Sequence, residues 1–348
     1  MAAWLITGGA GFIGVNTTER LIRQGEQVII LDNLSRKGSE RNLEYLRSIG
    51  AFDFHQIDVR DYDAIIQLFT RHTIDAVIHL AGQVAVTTSV KNPREDFEIN
   101  ALGTLNILEA VRTLRLNPVI INASTNKVYG ALESIRIEKE EQGYSFVDHP
   151  MGVSEDFPLD FHSPYGCSKG VADQYVRDYH RIYGLNTFTI RQSCIYGCHQ
   201  FGIEDQGWVA WFVISMLQDN PITIYGDGLQ VRDLLFVDDL VDAYLLIAQG
   251  NERLKERVLN IGGGPENATS VISLLNRIAR ILGKEEAYGY SDWRPGDQKV
   301  YVSNNEKIGK TLGWTPRIGI EEGISRLIDW LKDHRAGIEA LNTNPEKR

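Results

Sequence analysis

The sequence predicts an α/β fold, a doubly wound parallel sheet with a second, smaller α/β lobe. Three observations predict it. Through the first half, short apolar runs alternate with amphipathic stretches, the pattern of buried strands covered by helices on both faces. After about Arg191 the pattern loosens, Gly and Trp become frequent, and irregular connections appear at 198–207 and 289–298. The length of 348 residues suits about two domains, or one large fold with an appended lobe.

The apolar runs, read as strands, are Trp4–Thr7, Val28–Leu31, Phe52–Ile57, Ala76–Leu80 and Val119–Asn122. Between them the spacing predicts helices over Gly14–Arg23, Tyr62–Thr70 and Thr104–Leu114. The first lobe is placed at residues 1–190 and the second at 191–335, with 232–250 returning to the first. Glu321–Lys332 reads as one more amphipathic helix, and 336–348 as a polar tail.

At 43% hydrophobic and 24% charged, the chain has the balance of an ordinary globular protein, which excludes a disordered, collagen-like or disulfide-stapled class. With 36 basic and 46 acidic residues, the net charge is −10. That argues against nucleic acid and anionic membranes as partners, but a locally positive pocket for a small anion is compatible with it. Three cysteines without a C-x-x-C fit a reducing cytosol. The start of the chain shows no signal-peptide pattern, and no apolar run approaches the ~20 residues of a membrane span. A soluble, cytoplasmic protein is expected.

Leu5-Ile6-Thr7-Gly8-Gly9-Ala10-Gly11-Phe12-Ile13-Gly14 reads as a strand, a glycine turn and a helix start. Gly8, Gly11 and Gly14 let the backbone turn sharply and approach a pyrophosphate, and the following helix points free N–H groups at the anion. Asp32 ends the next apolar strand. A carboxylate there accepts hydrogen bonds from adenine ribose hydroxyls and repels a 2′-phosphate, which favours NAD over NADP. Ser35-Arg36-Lys37 is the feature that would suit NADP instead.

Tyr165-Gly166-Cys167-Ser168-Lys169 sets Tyr and Lys at i and i+4, on one face if helical. Free Tyr has a pKa of about 10, and a cation one turn away is expected to lower it toward use as a base. Upstream, the strand Val119–Asn122 runs into Ala123-Ser124-Thr125-Asn126-Lys127-Val128-Tyr129-Gly130. Thr125 is placed at the sheet edge where ligands bind in such folds. It could share the substrate oxygen with Tyr165; the alternative role is a helix N-cap. A metal is not expected: Cys194, Cys198 and His199 lack further ligands at metal spacing.

The glycine loop, Asp32-Asn33-Leu34-Ser35, Asp58-Val59, His79-Leu80-Ala81-Gly82, Asn100, Thr125…Tyr129-Gly130 and Tyr165…Lys169 together resemble the extended short-chain dehydrogenases, the NAD-dependent nucleotide-sugar epimerases and dehydratases, from the first residues to about Trp330. The resemblance implies a Rossmann-type first lobe holding NAD tightly. The implied cofactor contacts are Gly8, Gly11, Phe12, Ile13, Asp32, Asn33, Ser35, Arg36, Asp58, Val59, Leu80, Ala81, Gly82, Gln83 and Asn100, with Tyr165 and Lys169 also the catalytic pair beside Thr125. Within the family the longer strings DNLSRKG, HLAGQVAVTTS, STNKVYG, DFHSPYGCSKG and DQGWVAW are similar to those of CDP-hexose 2-epimerases.

Related 4,6-dehydratases place Asp and Glu after the threonine, where this chain has Asn126 and Lys127. An amide cannot donate the proton that removing water needs. Cys194 stands where many members have a sugar-binding Asn, which speaks against the usual 4-epimerase pocket. In the second lobe the resemblance assigns the diphosphate to Arg232 and Arg294, suited by planar, permanently charged guanidinium groups, and a ribose hydroxyl to Asp297. Asn126, Gln192, Ser193, Gln206, Trp208, Val209 and Gln230 complete the implied substrate contacts. The implied reaction oxidises the sugar transiently to a 2-keto form and reduces it on the opposite face. A nucleotide-hexose 4-epimerase, a 4,6-dehydratase and a non-enzymatic NAD-binding sensor are the alternatives; the sensor would typically lack the Tyr/Lys pair. Helices around Asn100–Leu114 and Tyr165–Tyr183 commonly form the family's oligomer interface, so a homodimer or homotetramer is expected.

Overall fold

Seven parallel strands form the central sheet, in the order Val258–Ile261, Thr187–Gln192, Val119–Thr125, Ala76–His79, Ala3–Thr7, Gln27–Leu31 and Asp53–His55. The structure is a computed structural model that describes residues 2–203, 206–250, 252, 254, 257–285, 288–293 and 298–334. Side chains alternate across each strand. Trp4 and Ile6 therefore join one core with Val28, Ile30 and Ile78, while Leu5 joins a second with Ile29, Val77 and Ile120. Both faces are buried, which is why the strands read as continuous apolar runs.

Helices Tyr62–Arg71, Gly103–Thr113 and Ser163–Tyr183 contribute to the second core. Helices Phe12–Arg23 and Val237–Gly250 contribute to the first. Local chemistry sets their ends. The Asp61 side chain caps Tyr62–Arg71 by accepting from Ala64 N at 3.0 Å. Ser163–Tyr183 begins with a proline in its first turn and stops at Gly184, which takes φ 70°.

The second lobe holds Val231–Phe236 between Ala268–Ser270 and Val300–Tyr301, with Cys194–Tyr196 also paired to it, and a separate pair of strands, Ile222–Tyr225 and Tyr288–Ser291. Residues 232–250 divide between the lobes. The strand Val231–Phe236 stays in the second lobe, and the helix Val237–Gly250 lies against Phe12–Arg23, joined by the Arg20–Asp242 ion pair. The return also extends further than the spacing showed, because Val258–Ile261 is the edge strand of the central sheet. A four-residue strand buried throughout has no alternation by which to recognise it. Among the described residues, no helix is long and apolar enough to cross a membrane.

The chain leaves Ala3–Thr7 toward Gln27–Leu31 on one side, then resumes at Ala76–His79 on the other. The C-terminal ends of these two strands flank the switch point where open α/β sheets bind ligands.

Candidate active site

At the end of Ala3–Thr7, Gly8 takes φ +69°, and a Cβ there would stand 2.8 Å from Ala81 N. Gly14 packs so closely that a Cβ would overlap the Gly8 carbonyl oxygen. The helix Phe12–Arg23 starts at Gly11 with no side-chain cap and no acidic residue in its first turn, which leaves its N–H groups for an anion. A cavity beside this loop is lined by Gly11, Phe12, Arg36, Asn42, Phe201 and Gln206, among others; Ile13, next to Phe12, is partly buried against the core.

Asp32 is buried at the end of Gln27–Leu31. It accepts from Ala10 N at 3.0 Å and Leu34 N at 2.8 Å. Burial pushes its carboxyl up, while these amides and Arg36 pull it down. Asn33 donates to Asp58 at 2.9 Å and accepts from Ser35 N at 3.1 Å, linking the two strand ends. Asp58 is also gripped by Arg60 Nε at 2.9 Å and Nη2 at 2.8 Å, which holds its carboxyl down to about 2. Val59 is buried against Gly103.

Leu80 N and Ala81 N both donate to Thr7 Oγ1 at 3.2 Å, fixing the loop that leads to Gly82. The Asn100 and Gln83 side chains hydrogen-bond within the protein. Asn100 holds the Gln83 backbone through Gln83 N at 2.9 Å and Gln83 O at 3.0 Å. Gln83 Nε2 donates to Ala85 O and to Asp96, both at 2.8 Å. These contacts shape the wall of the crevice.

Tyr165 and Lys169 share one face of Ser163–Tyr183, and both are buried. Thr125, at the end of Val119–Thr125, is buried beside Tyr165, and its hydroxyl favours the phenolate form. Thr125 also caps the short turn Asn126–Tyr129, accepting from Lys127 N at 3.2 Å. Lys169 Nζ donates to Ala123 O at 2.5 Å, and burial brings it down to about 8. The expected lowering of Tyr165 by Lys169 is not found. Burial pushes the phenol up to about 12, a nearby carboxylate, Asp96, adds to this, and the Thr125 hydroxyl and Arg36 oppose it.

Asn126 is buried beside Thr125. Gln192 accepts from Tyr244 at 2.6 Å, and Ser193 donates to the backbone of Asp233 at 2.9 Å. Arg232 is buried, donating to Val231 O at 2.7 Å and Gln298 O at 2.5 Å. Gln230 donates to Tyr225 O at 2.7 Å, and its buried Oε1 has no partner among the described residues. Trp208 begins the helix Trp208–Leu217.

Val209 packs into the core, because its helix is apolar nearly all round. Gln206 lines the cavity beside the phosphate loop. The loop after Gly197 folds back over the first lobe: Asn16 donates to Cys198 O at 3.0 Å, and His199 packs on Tyr45 at 4.5 Å. Arg294 and Asp297 lie outside the described residues.

Sequence reasoning missed the supports. Arg191 and Asp173 form a fully buried pair at 2.9 Å that ties the catalytic helix to Thr187–Gln192, and Ser124 donates to the same carboxylate at 2.8 Å. The signal was an Arg ending an apolar strand and an acid four residues beyond Lys169. Asp96 and Ser168 beneath the catalytic pair had no comparable signal.

A glycine turn at the sheet's switch point, an acid ending the next strand and a buried Tyr/Lys pair at a threonine-bearing strand end define a short-chain dehydrogenase-type protein with an added lobe. Residues 5–327 match the GDP-mannose 4,6 dehydratase family. The chain belongs to that family, a group of nucleotide-sugar epimerases and dehydratases. It is 44% identical to CDP-paratose 2-epimerase of Salmonella typhi, over 94% of this chain and 98% of that one. It also resembles the structure of UDP-glucose 4-epimerase with UDP-glucose from Thermotoga maritima, at TM-score 0.82 and 30% identity, covering 96% of this chain and 99% of that one. A dTDP-glucose 4,6-dehydratase from Bacillus anthracis in complex with NAD matches at TM-score 0.83 and 25% identity, covering 98% and 100%.

Proposed function

We propose that the protein is an NAD-dependent epimerase that inverts carbon 2 of a CDP-hexose, of the CDP-paratose to CDP-tyvelose type. The observation that carries this reading is the pairing of Thr125 and Tyr165 with an amide and an ammonium, Asn126 and Lys127, in the two positions that follow. This is chemistry for moving a proton at one hydroxyl without expelling another. The choice of carbon 2 and of cytidine rests on the likeness to CDP-paratose 2-epimerase.

The site fits NAD. Gly8 and Gly14 leave room no side chain would leave, the uncapped helix faces a pyrophosphate, and Asp32 keeps carboxylate lone pairs for ribose hydroxyls. When bound, NAD supplies a hydride acceptor, a hydride donor and, oxidised, a positive charge that favours phenolate. Tyr165 Oη takes the proton of the sugar's 2-hydroxyl and later returns it. Thr125 orients that oxygen, and Lys169, anchored on Ala123 O, keeps a cation one helical turn away. Arg232, with Arg294, holds the diphosphate while the keto sugar turns over.

The test is incubation of the purified protein, without added cofactor, with a panel of CDP-, UDP-, GDP- and dTDP-hexoses. NMR should locate inversion at carbon 2 of a CDP-hexose. Inversion at carbon 4, or loss of water by mass spectrometry, overturns the reading; no turnover on any sugar favours a sensor. Assembly as a homodimer or homotetramer through the helices at 100–114 and 165–183 is part of the proposal, with Tyr175, Ile182 and Tyr183 exposed there. Sedimentation as a monomer would remove that part.

A further inference from the structure

We propose that Asp96 is a positioning residue for the catalytic pair: through Ser168 it fixes the helical turn that carries Tyr165 and Lys169, and it holds a negative charge beneath both. This rests on the reading of the active site given above.

Asp96 lies in the short helix Pro93–Phe97 and is 1% exposed. Its Oδ2 accepts from Ser168 Oγ at 2.5 Å, and its Oδ1 from Gln83 Nε2 at 2.8 Å and Asn100 Nδ2 at 3.2 Å. Asn100 Nδ2 also donates to Ser168 Oγ at 3.0 Å. With its oxygen accepting from Asn100, Ser168 has one hydrogen left to donate, and the short contact takes it to Asp96. An ionised carboxylate is the form that accepts from three donors; burial raises this carboxyl, and the Ser168 and Gln83 hydrogen bonds and Lys169 act against that. Burying that charge is costly unless it is paired or hydrogen-bonded, and three donors meet it here.

What lies nearby is the catalytic turn. Ser168 immediately precedes Lys169, and its Oγ stands 3.1 Å from the Tyr165 carbonyl oxygen. Asn100 Oδ1 and Lys169 Nζ border the same glycine: a Cβ on Gly82 would lie 2.9 Å from one and 3.9 Å from the other. The network Asp96–Ser168–Asn100–Gln83 therefore braces the helical turn that carries Tyr165 and Lys169.

The charge acts on both. It raises Lys169, opposing burial, and it raises Tyr165, adding to burial. The other groups facing the pair are accounted for. Asp173, on the same helix, also raises Lys169; Arg36 lowers Tyr165; His79, from the neighbouring strand, is held neutral by burial. Asp96 is the one carboxylate here that acts on both members. It keeps the lysine charged, and it keeps the phenol a proton holder rather than a permanent phenolate. A base that must return the same proton in every turnover benefits from that balance.

The experiment compares Asp96→Asn and Ser168→Ala with the purified wild-type protein. Tyr165 is titrated directly as the phenolate difference spectrum between each form and the same form carrying Tyr165→Phe. Asp96→Asn should move the Tyr165 titration down by about one pH unit, and shift both limbs of the turnover pH profile the same way. Ser168→Ala should leave the titration in place and lower kcat about tenfold, as a loosened positioning contact would. An unchanged Tyr165 titration in Asp96→Asn overturns the proposal. If that variant does not fold, wild-type kcat in Ser168→Ala overturns it. The phenolate titration needs no substrate, so it stands or falls separately from the assignment of sugar and carbon.

Discussion

Tyr165 is a phenol in a place that resists ionisation: burial holds it near 12, and only the Thr125 hydroxyl and Arg36 pull it down. In the proposed reaction, a base so poised would act when the reacting hydroxyl and an oxidised cofactor share its pocket. Tyr165→Phe should lower turnover at least ~100-fold while NAD, measured by absorbance of the purified protein, remains bound. Near-normal turnover would remove Tyr165 from its role. At this scale the legible residues were those whose chemistry demands short spacing: the glycines, Asp32 and the Tyr/Lys pair. Asp96 and Ser168, separated by 72 positions, become partners only when two helices pack, and no local pattern marks them. The amides of Gln83 and Asn100 face inward, a choice of direction that composition does not encode.

The element that most constrains the site is the turn between Ala3–Thr7 and Phe12–Arg23. Gly14 lets the helix settle against the Gly8 carbonyl, and any side chain there must push the helix off the sheet. Gly14→Ala should therefore yield a folded protein that loses its NAD, read as cofactor content after gel filtration. Full occupancy would show that the close packing is dispensable. The strand–helix alternation of the first lobe was legible because both faces of its sheet are buried. The loop after Gly197 was not: its anchors, Tyr45, Trp330 and Asn16, come from three distant segments.

For the molecule as a whole, two histidines set an acid limit. Burial brings His79 down to about 3 and His199 down to about 4. The unfolded chain binds those protons near the usual value of about 6.5, so it holds more protons than the folded one below that pH. Stability should be complete above about pH 6.5 and fall steadily as acid is added toward 3. Urea midpoints at several pH values would show this slope, and His79→Gln should flatten it. A slope unchanged in that variant would place the acid sensitivity elsewhere.

The late edge strand has a further consequence, for the order in which the molecule can be made. Val258–Ile261 supplies the hydrogen bonds to Thr187–Gln192, and Asn260 receives Tyr129 at 2.8 Å. While the chain is being synthesised, Thr187–Gln192 stands as an edge of the sheet until residue 261 has emerged and Val258–Ile261 takes that place. Until then that edge is a template for the wrong neighbour. The two lobes are thus interlocked in time as well as in space, and neither can be cut away as a free-standing module.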